Sequence, residues 1–346
     1  MVDPTPCLTE TSTLYQRHLY EKLEKLLTEV PPSLRVDVER SLKEQGKLLY
    51  VPQTTNVGTV NEPVSGIWSL LTLLVAQQVN PLVDLKEATT VAVAVECLIC
   101  ALDLLDDVED EDQTAVLAEL GPARALNAST ALFALAQRAM LSVTPPDLSL
   151  LLLDAVQEDL LVATAAQHRD LLAEQRPATS MTREECIEIA VGKAGALMHL
   201  ACRLGATCAG ASPEVIEQFA RFGSLYGIFQ QLDNDCHDLY YLLQDESQSL
   251  KGGEAARTKR SGKSDLARGK KTLPVVLAAQ RHAAHEKATG EEQSIAIAAY
   301  QQSLRDGVIA AWGICLLYRE RAKDALQEIE AQLSATSALR QLLRLD

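Results

Sequence analysis

The sequence predicts an all-α chain, and three observations carry that expectation. Ala and Leu dominate a composition that is 47% hydrophobic yet only 4% aromatic. Apolar positions recur at helical spacing through most of the chain, and nowhere does the alternation of a β-strand persist. The 346 residues suffice for one large core. No internal repeat is present, so a single domain is expected.

The elements follow in order. Residues 12–49 read as two helices, separated where Pro31-Pro32 breaks the pattern. Residues 50–65 are polar and carry Pro, Gly and Asn, the composition of a loop. Strongly apolar helices are predicted over 67–78 and 84–105. A helix over 114–143 has a break at Gly121-Pro122 and stops at Pro145-Pro146. Helices over 148–174, 182–205 and 213–241 come next, then 273–285, 291–304 and 309–343. Cys97-x-x-Cys100 lies inside a helical pattern with no second pair nearby, so core packing is the expected role.

Two acidic faces stand out against this background. At about 100° per residue, Asp103, Asp106, Asp107 and Asp110 fall within about 100° of arc at the end of the 84–105 helix. Like charges stacked at i, i+3 and i+4 oppose helix formation, and the C-terminal end of the macrodipole disfavours anions as well. The helix before them is apolar nearly all round, apart from Glu96 and Asp103, so it is expected to be buried. Carboxylates leaving a buried helix together call for a cation, and oxygen ligation without His or thiolate suits Mg²⁺. On a second helix Gln231, Asn234, Asp235 and Asp238 share a face. Residues 247–271 supply eight Lys/Arg against two acids in a chain of net charge −15. Two acidic helix faces and a basic segment describe a site for a magnesium diphosphate.

The same net charge argues against a nucleic-acid partner, whose phosphates are met largely by Lys and Arg. No apolar run reads as a membrane span, and Met1 to Cys7 has neither a basic nor an apolar leader region. The scattered cysteines suit a reducing compartment. A cytoplasmic protein without stable membrane insertion is expected.

The motifs are specific enough to resemble a family, the trans-isoprenyl diphosphate synthases and the terpene synthases built on the same fold. Asp106-Asp107-x-x-Asp110 is similar to its first aspartate-rich motif. Gln231-Leu-x-Asn234-Asp235-x-x-Asp238 is similar to the second, with Asn in place of the first Asp. The segment 121–133, Gln167-x-x-Asp170, Lys193-Ala-Gly-Ala-Leu197 and Asp265-Leu-x-x-Gly-Lys270-x-Thr-Leu-Pro274 resemble further blocks in the family's order. The resemblance runs from about residue 62 to 278. It implies an isoprenoid-synthase helical bundle around a deep central cavity, working as a homodimer on an allylic isoprenyl diphosphate with a cluster of Mg²⁺ ions. It makes Asp106, Asp107, Asp110, Asn234, Asp235 and Asp238 the metal-binding and catalytic set. It also makes Lys193, Lys270 and Gln231 the diphosphate contacts, with Gln167 and Asp170 as structural hydrogen-bonding partners. Lys263 flanks the same basic block as Lys270.

The departures from the family's pattern decide the expected activity. Chain-elongating members hold isopentenyl diphosphate in a second basic site, partly a Gly-Lys-Arg-x-Arg-Pro block. Aligned on Glu62-Pro63 and Leu70-Leu71, this sequence has Ser65, Gly66 and Trp68 where the cations would stand. The arginine pair expected after the first motif is replaced by Glu111-Asp-Gln-Thr, with no basic residue before Arg124. An ionisation site kept and a condensation site lost imply a terpene synthase. The competing readings are an elongating synthase using Gly46-Lys47 as a displaced basic block, an acceptor prenyltransferase, and a non-catalytic subunit. Ala101, Leu102 and Leu98, before Asp106, and Trp68 are assigned to the cavity wall. None of the three helical positions is aromatic, so a chain of C20 or longer is expected.

Overall fold

The computed structural model describes residues 8–44, 46–50, 66–249, 269–289, 293–333 and 338–345. The expected loop over 51–65, and within the basic segment Lys263 and Asp265, lie outside the described residues. All regular structure in the described residues is helical. The chain forms two compact units: Met1–Glu158 with Leu200–Arg221 and Ala325–Asp346, and Asp159–His199 with Phe222–Asp324.

The first unit is built on α1 (Leu8–Leu27), α2 (Pro32–Leu42), α3 (Ile67–Val79), α4 (Leu85–Glu109) and α5 (Ala115–Leu141). Asp84 starts α4 by accepting a hydrogen bond from the backbone N–H of Lys86 at 2.9 Å. Every residue from Glu87 to Ala101 is buried, chiefly against α3 and α5. Such a helix has no solvent face to keep polar. Its best 18-residue window has a mean hydropathy of 2.0, with 83% of that window buried. This corrects the expectation that no run approaches membrane-span length: α4 has the length and composition of a span, and it serves as a core helix of its unit. Thr114 caps α5 on the Leu117 N–H, and α5 kinks at Gly121 (φ 69, ψ 161), as the Gly-Pro pair predicts.

The helix α6 (Pro146–Glu174) is followed by a short 3₁₀ turn (Ala178–Ser180) and α7 (Arg183–Ala190). A reciprocal capping box between Thr182 and Glu185 opens α7. Then come a π-helical turn (Val191–Gly195), α8 (Ala196–Cys208), α9 (Pro213–Ser249), α10 (Leu273–Thr289), α11 (Gln293–Leu333) and α12 (Ala338–Leu342). The second unit's core joins Leu232, Cys236 and Leu239 to Leu273, Val276, Val308 and Ala311. The largest difference from the sequence reading is that 291–304 and 309–343 are largely one continuous helix, α11, followed by α12. Gly307, between the two expected segments, is a contact point. A Cβ there would lie 2.4 Å from the Pro274 carbonyl oxygen and 2.9 Å from the Ala278 side chain. The glycine lets α10 approach; it does not end the helix.

Two acidic helix faces and their counter-charges

In the first unit, Asp106, Asp107 and Asp110 occupy the last turn of α4 and its cap. Backbone bonds from Asp110 N to Asp106 O (2.8 Å) and from Asp112 N to Asp107 O (2.9 Å) hold that turn closed. Asp106 and Asp107 are half-buried, and Asp110 is 2% exposed. Of the residues assigned to the cavity wall, Leu98 and Ala101 are fully buried, while Leu102 and Trp68 are half-buried. The hydroxyl of Ser129 donates to the Ala101 carbonyl at 2.9 Å, tying α5 to α4 at that level.

One turn before the motif lies a charge cluster that the sequence reading resolved only in part. Gly66 N donates to Gly46 O at 3.0 Å, which brings Gly46-Lys47 against the start of α3. Lys47, 9% exposed, is ion-paired with Asp103. Burial opposes its charge, but Asp103, Cys100 and Glu96 outweigh it and hold the ammonium above its ordinary pKa. Glu96 is wholly buried. One of its carboxyl oxygens accepts from Ser69 N at 3.0 Å, and Oε1 has no hydrogen-bond partner. Burial pushes its pKa up, more than Lys47 and Ser69 bring it down. A signal for this cluster was present in the sequence: Glu96 and Asp103 are seven residues apart, within about 20° on the helix, and they interrupt an apolar surface. Arg124, the first cation after the motif, donates through Nε and Nη2 to the two carboxylate oxygens of Asp37 of α2, the Nε contact being 2.9 Å. Burial raises the Cys100 thiol to about 12 and that of Cys97 well above its ordinary value, in keeping with core packing.

In the second unit, α9 carries Gln231, Asn234, Asp235 and Asp238. Gln231 Nε2 donates to Asp235 Oδ1 at 2.9 Å; Asp235 is 8% exposed, whereas Asn234 and Asp238 face solvent. Lys193 sits in the π-helical turn and pairs with Asp170 at 2.9 Å, both side chains being 16% exposed. Gln167 is half-buried one turn away on α6. A close helix crossing supports the Lys193 turn: a Cβ on Gly227 of α9 would lie 2.2 Å from the Ala194 carbonyl oxygen. Lys270 is half-buried in the segment leading to α10. The next residue anchors that segment, with Lys271 Nζ on the Glu174 carbonyl at 3.2 Å and the Cys186 thiol on the Lys271 carbonyl at 3.4 Å.

Among the described residues no three His, Cys, Asp or Glu side chains converge closely enough to hold a metal ion unaided. The donor set still fits Mg²⁺, which commonly takes one or two carboxylates, waters and substrate phosphate oxygens in place of an all-protein cage. Hard carboxylate and amide oxygens, with no thiolate or imidazole on the motif faces, are what each unit offers.

The family model described as polyprenyl synthetase matches residues 65–304. The chain belongs to the polyprenyl synthetase family. Within it, the chain is 35% identical over 160 residues to a tryptophan prenyltransferase, ComQ, of Bacillus subtilis subsp. natto, covering 45% of this chain and 47% of that one. It is 31% identical over 200 residues to a geranylgeranyl diphosphate synthase of Mycobacterium tuberculosis, covering 56% and 53%. The chain thus spans about half the length of these relatives. Its fold is that of a geranylgeranyl pyrophosphate synthetase from the archaeon Geoglobus acetivorans, with a TM-score of 0.68 over 92% of both chains at 22% identity. That likeness is one of fold, and a fold by itself does not set an activity.

Proposed function

We propose that this chain ionises a long allylic isoprenyl diphosphate with Mg²⁺ and lets the cation react without isopentenyl diphosphate, as a class I terpene synthase does. The observation that carries this reading is the state of Lys47. Gly46-Lys47 lies beside Gly66 at the start of α3, where the basic block of an elongating synthase would be needed. Its ammonium is paired with Asp103 and also lies in the field of Glu96. One cation shared by two carboxyl groups offers a second diphosphate no net positive charge. Arg124 is likewise committed to Asp37.

The chemistry asked of the remaining residues is electrostatic. Bound Mg²⁺ would neutralise the charge that develops on the pyrophosphate leaving group. Asp106, Asp107 and Asp110 would hold part of that metal set, and Asn234, Asp235 and Asp238 the rest, Asn234 through its amide oxygen. Gln231 orients the Asp235 carboxylate. Lys193 and Lys270 would donate to phosphate oxygens, with Asp170 fixing the Lys193 ammonium in position.

A second reading has its own support. Two relatives, 35% and 34% identical over about half of the chain, carry the name tryptophan prenyltransferase, and transfer to an indole acceptor also needs ionisation without isopentenyl diphosphate. Purified protein incubated with Mg²⁺ and C10, C15, C20 and C25 allylic diphosphates, with and without isopentenyl diphosphate, tests both. Pyrophosphate release with a terpene product from C20 or C25 alone is expected. Release that requires an added tryptophan-containing peptide would replace cyclisation by acceptor transfer. A longer prenyl diphosphate would overturn both in favour of elongation.

A further inference from the structure

The second unit holds a cavity that the acidic motif does not use. On α9, Tyr240, Leu243 and Gln244 point about 180° away from the face of Gln231, Asn234, Asp235 and Asp238. With Arg305, Val308, Ile309 and Trp312 of α11 they line a half-open pocket of about 290 Å³, close to the lower bound of small-molecule sites, about 300 Å³. Leu243 and Val308 are buried at its base, whereas Tyr240 and Ile309 are 38% and 67% exposed. The Trp312 ring packs at 5.4 Å on Tyr240 and edge-on at 5.6 Å against His237, which sets its orientation.

The cation at this cavity is the second observation. Among the described arginines, Arg305 is the one with no ion pair, hydrogen bond or ring contact to the rest of the chain. The chain carries a net charge of −15, so carboxylates are plentiful. The adjacent one, Asp306, is already held by Arg281 at 3.0 Å and by Gln302 at 2.9 Å. A guanidinium without a counter-ion beside two aromatic rings and an amide complements a flat apolar body bearing one negative group.

We infer that this cavity is a second ligand site, separate from the acidic motif, that takes a small aromatic anion. The ring of such a ligand lies on Trp312 and Tyr240. Its carboxylate, sulfonate or phosphate group meets Arg305. The sequence contains two tryptophans, so Trp68→Phe leaves Trp312 as the single fluorescent reporter. In that background, 8-anilino-1-naphthalenesulfonate should quench Trp312 saturably. Arg305→Gln should weaken binding about tenfold, the loss expected for one charge-assisted hydrogen bond. Arg305→Lys, which keeps the charge, should retain most of the affinity. In the wild-type chain, followed by the probe's own emission, excess Mg²⁺ with geranylgeranyl diphosphate should leave the titration unchanged. Quenching that never saturates, an affinity indifferent to Arg305→Gln, or displacement by the diphosphate would each overturn the inference. Far-UV circular dichroism of each variant confirms that the chain compared is folded.

Discussion

Asp107 and Asp235 test the two acidic faces most directly, because each removes a carboxylate from the proposed metal set. Asp107→Ala or Asp235→Ala should slow pyrophosphate release by about 10²-fold or more, and near-wild-type release from either would remove that face from the site. Asn234→Asp should be tolerated better than Asn234→Ala, since it keeps the ligating oxygen. Glu96 offers a test through pH. Its folded-state pKa is raised by burial above the ordinary 4.5, so ionising it opposes folding. Its contribution is present in full below pH 4.5 and is lost as pH rises through the folded pKa. Glu96→Gln should therefore gain thermal stability relative to wild type as pH is raised from 4 to 8; a constant offset in melting temperature across that range would refute the argument. The acidic faces were legible in the sequence because i, i+3, i+4 spacing is a local property. The Lys47–Asp103 pair spans 56 residues, and no periodicity within either helix announces it.

Helix crossings carry the next set of consequences. At Gly227, α9 passes so near the Lys193 turn that a methyl group would meet the Ala194 carbonyl at 2.2 Å. Gly227→Ala should destabilise the protein by about 1–3 kcal/mol. It should also lower turnover, because the backbone that must yield adjoins Lys193; full activity with an unchanged melting temperature would show that the crossing is slack. On α4, Ala101 is fully buried. If it borders the substrate chain, Ala101→Phe should move preference toward a shorter diphosphate, read as kcat/KM across C10 to C25. An unchanged length profile would exclude this helix from the cavity floor. Helix interiors were readable from apolar spacing, whereas ends and interruptions were not: α4 and α9 run beyond their last periodic apolar residue, and α11 passes through Gly307. In that case the deciding contact is made by another helix, where a pattern within the segment carries no information.

For the whole molecule, the expected homodimer has a candidate surface on α6. Leu161 and Leu172, both in the second unit, are 72% and 49% exposed. They stand eleven residues apart, a spacing that keeps side chains nearly on one helical face. Sedimentation should give a mass of about 75 kDa, twice the 37.6 kDa chain, and Leu161→Glu should lower it; a monomeric wild type would leave that stripe unexplained. Motif order named the family before any geometry was available, while the commitment of Lys47, which bears on the reaction, needed coordinates. The apolar character of α4 bears on synthesis as well as on the finished fold. Domains fold in the order in which they leave the ribosome, and α4 emerges before α5, one of the two helices that chiefly cover it. In that interval a segment of hydropathy 2.0 is open to any machinery that sorts nascent helices into lipid. Carboxylates at Glu96 and Asp103 weigh against insertion, with Asp costing about 3 kcal/mol at a bilayer's centre. The same acid that strains the folded core thereby helps to keep the nascent chain out of the membrane.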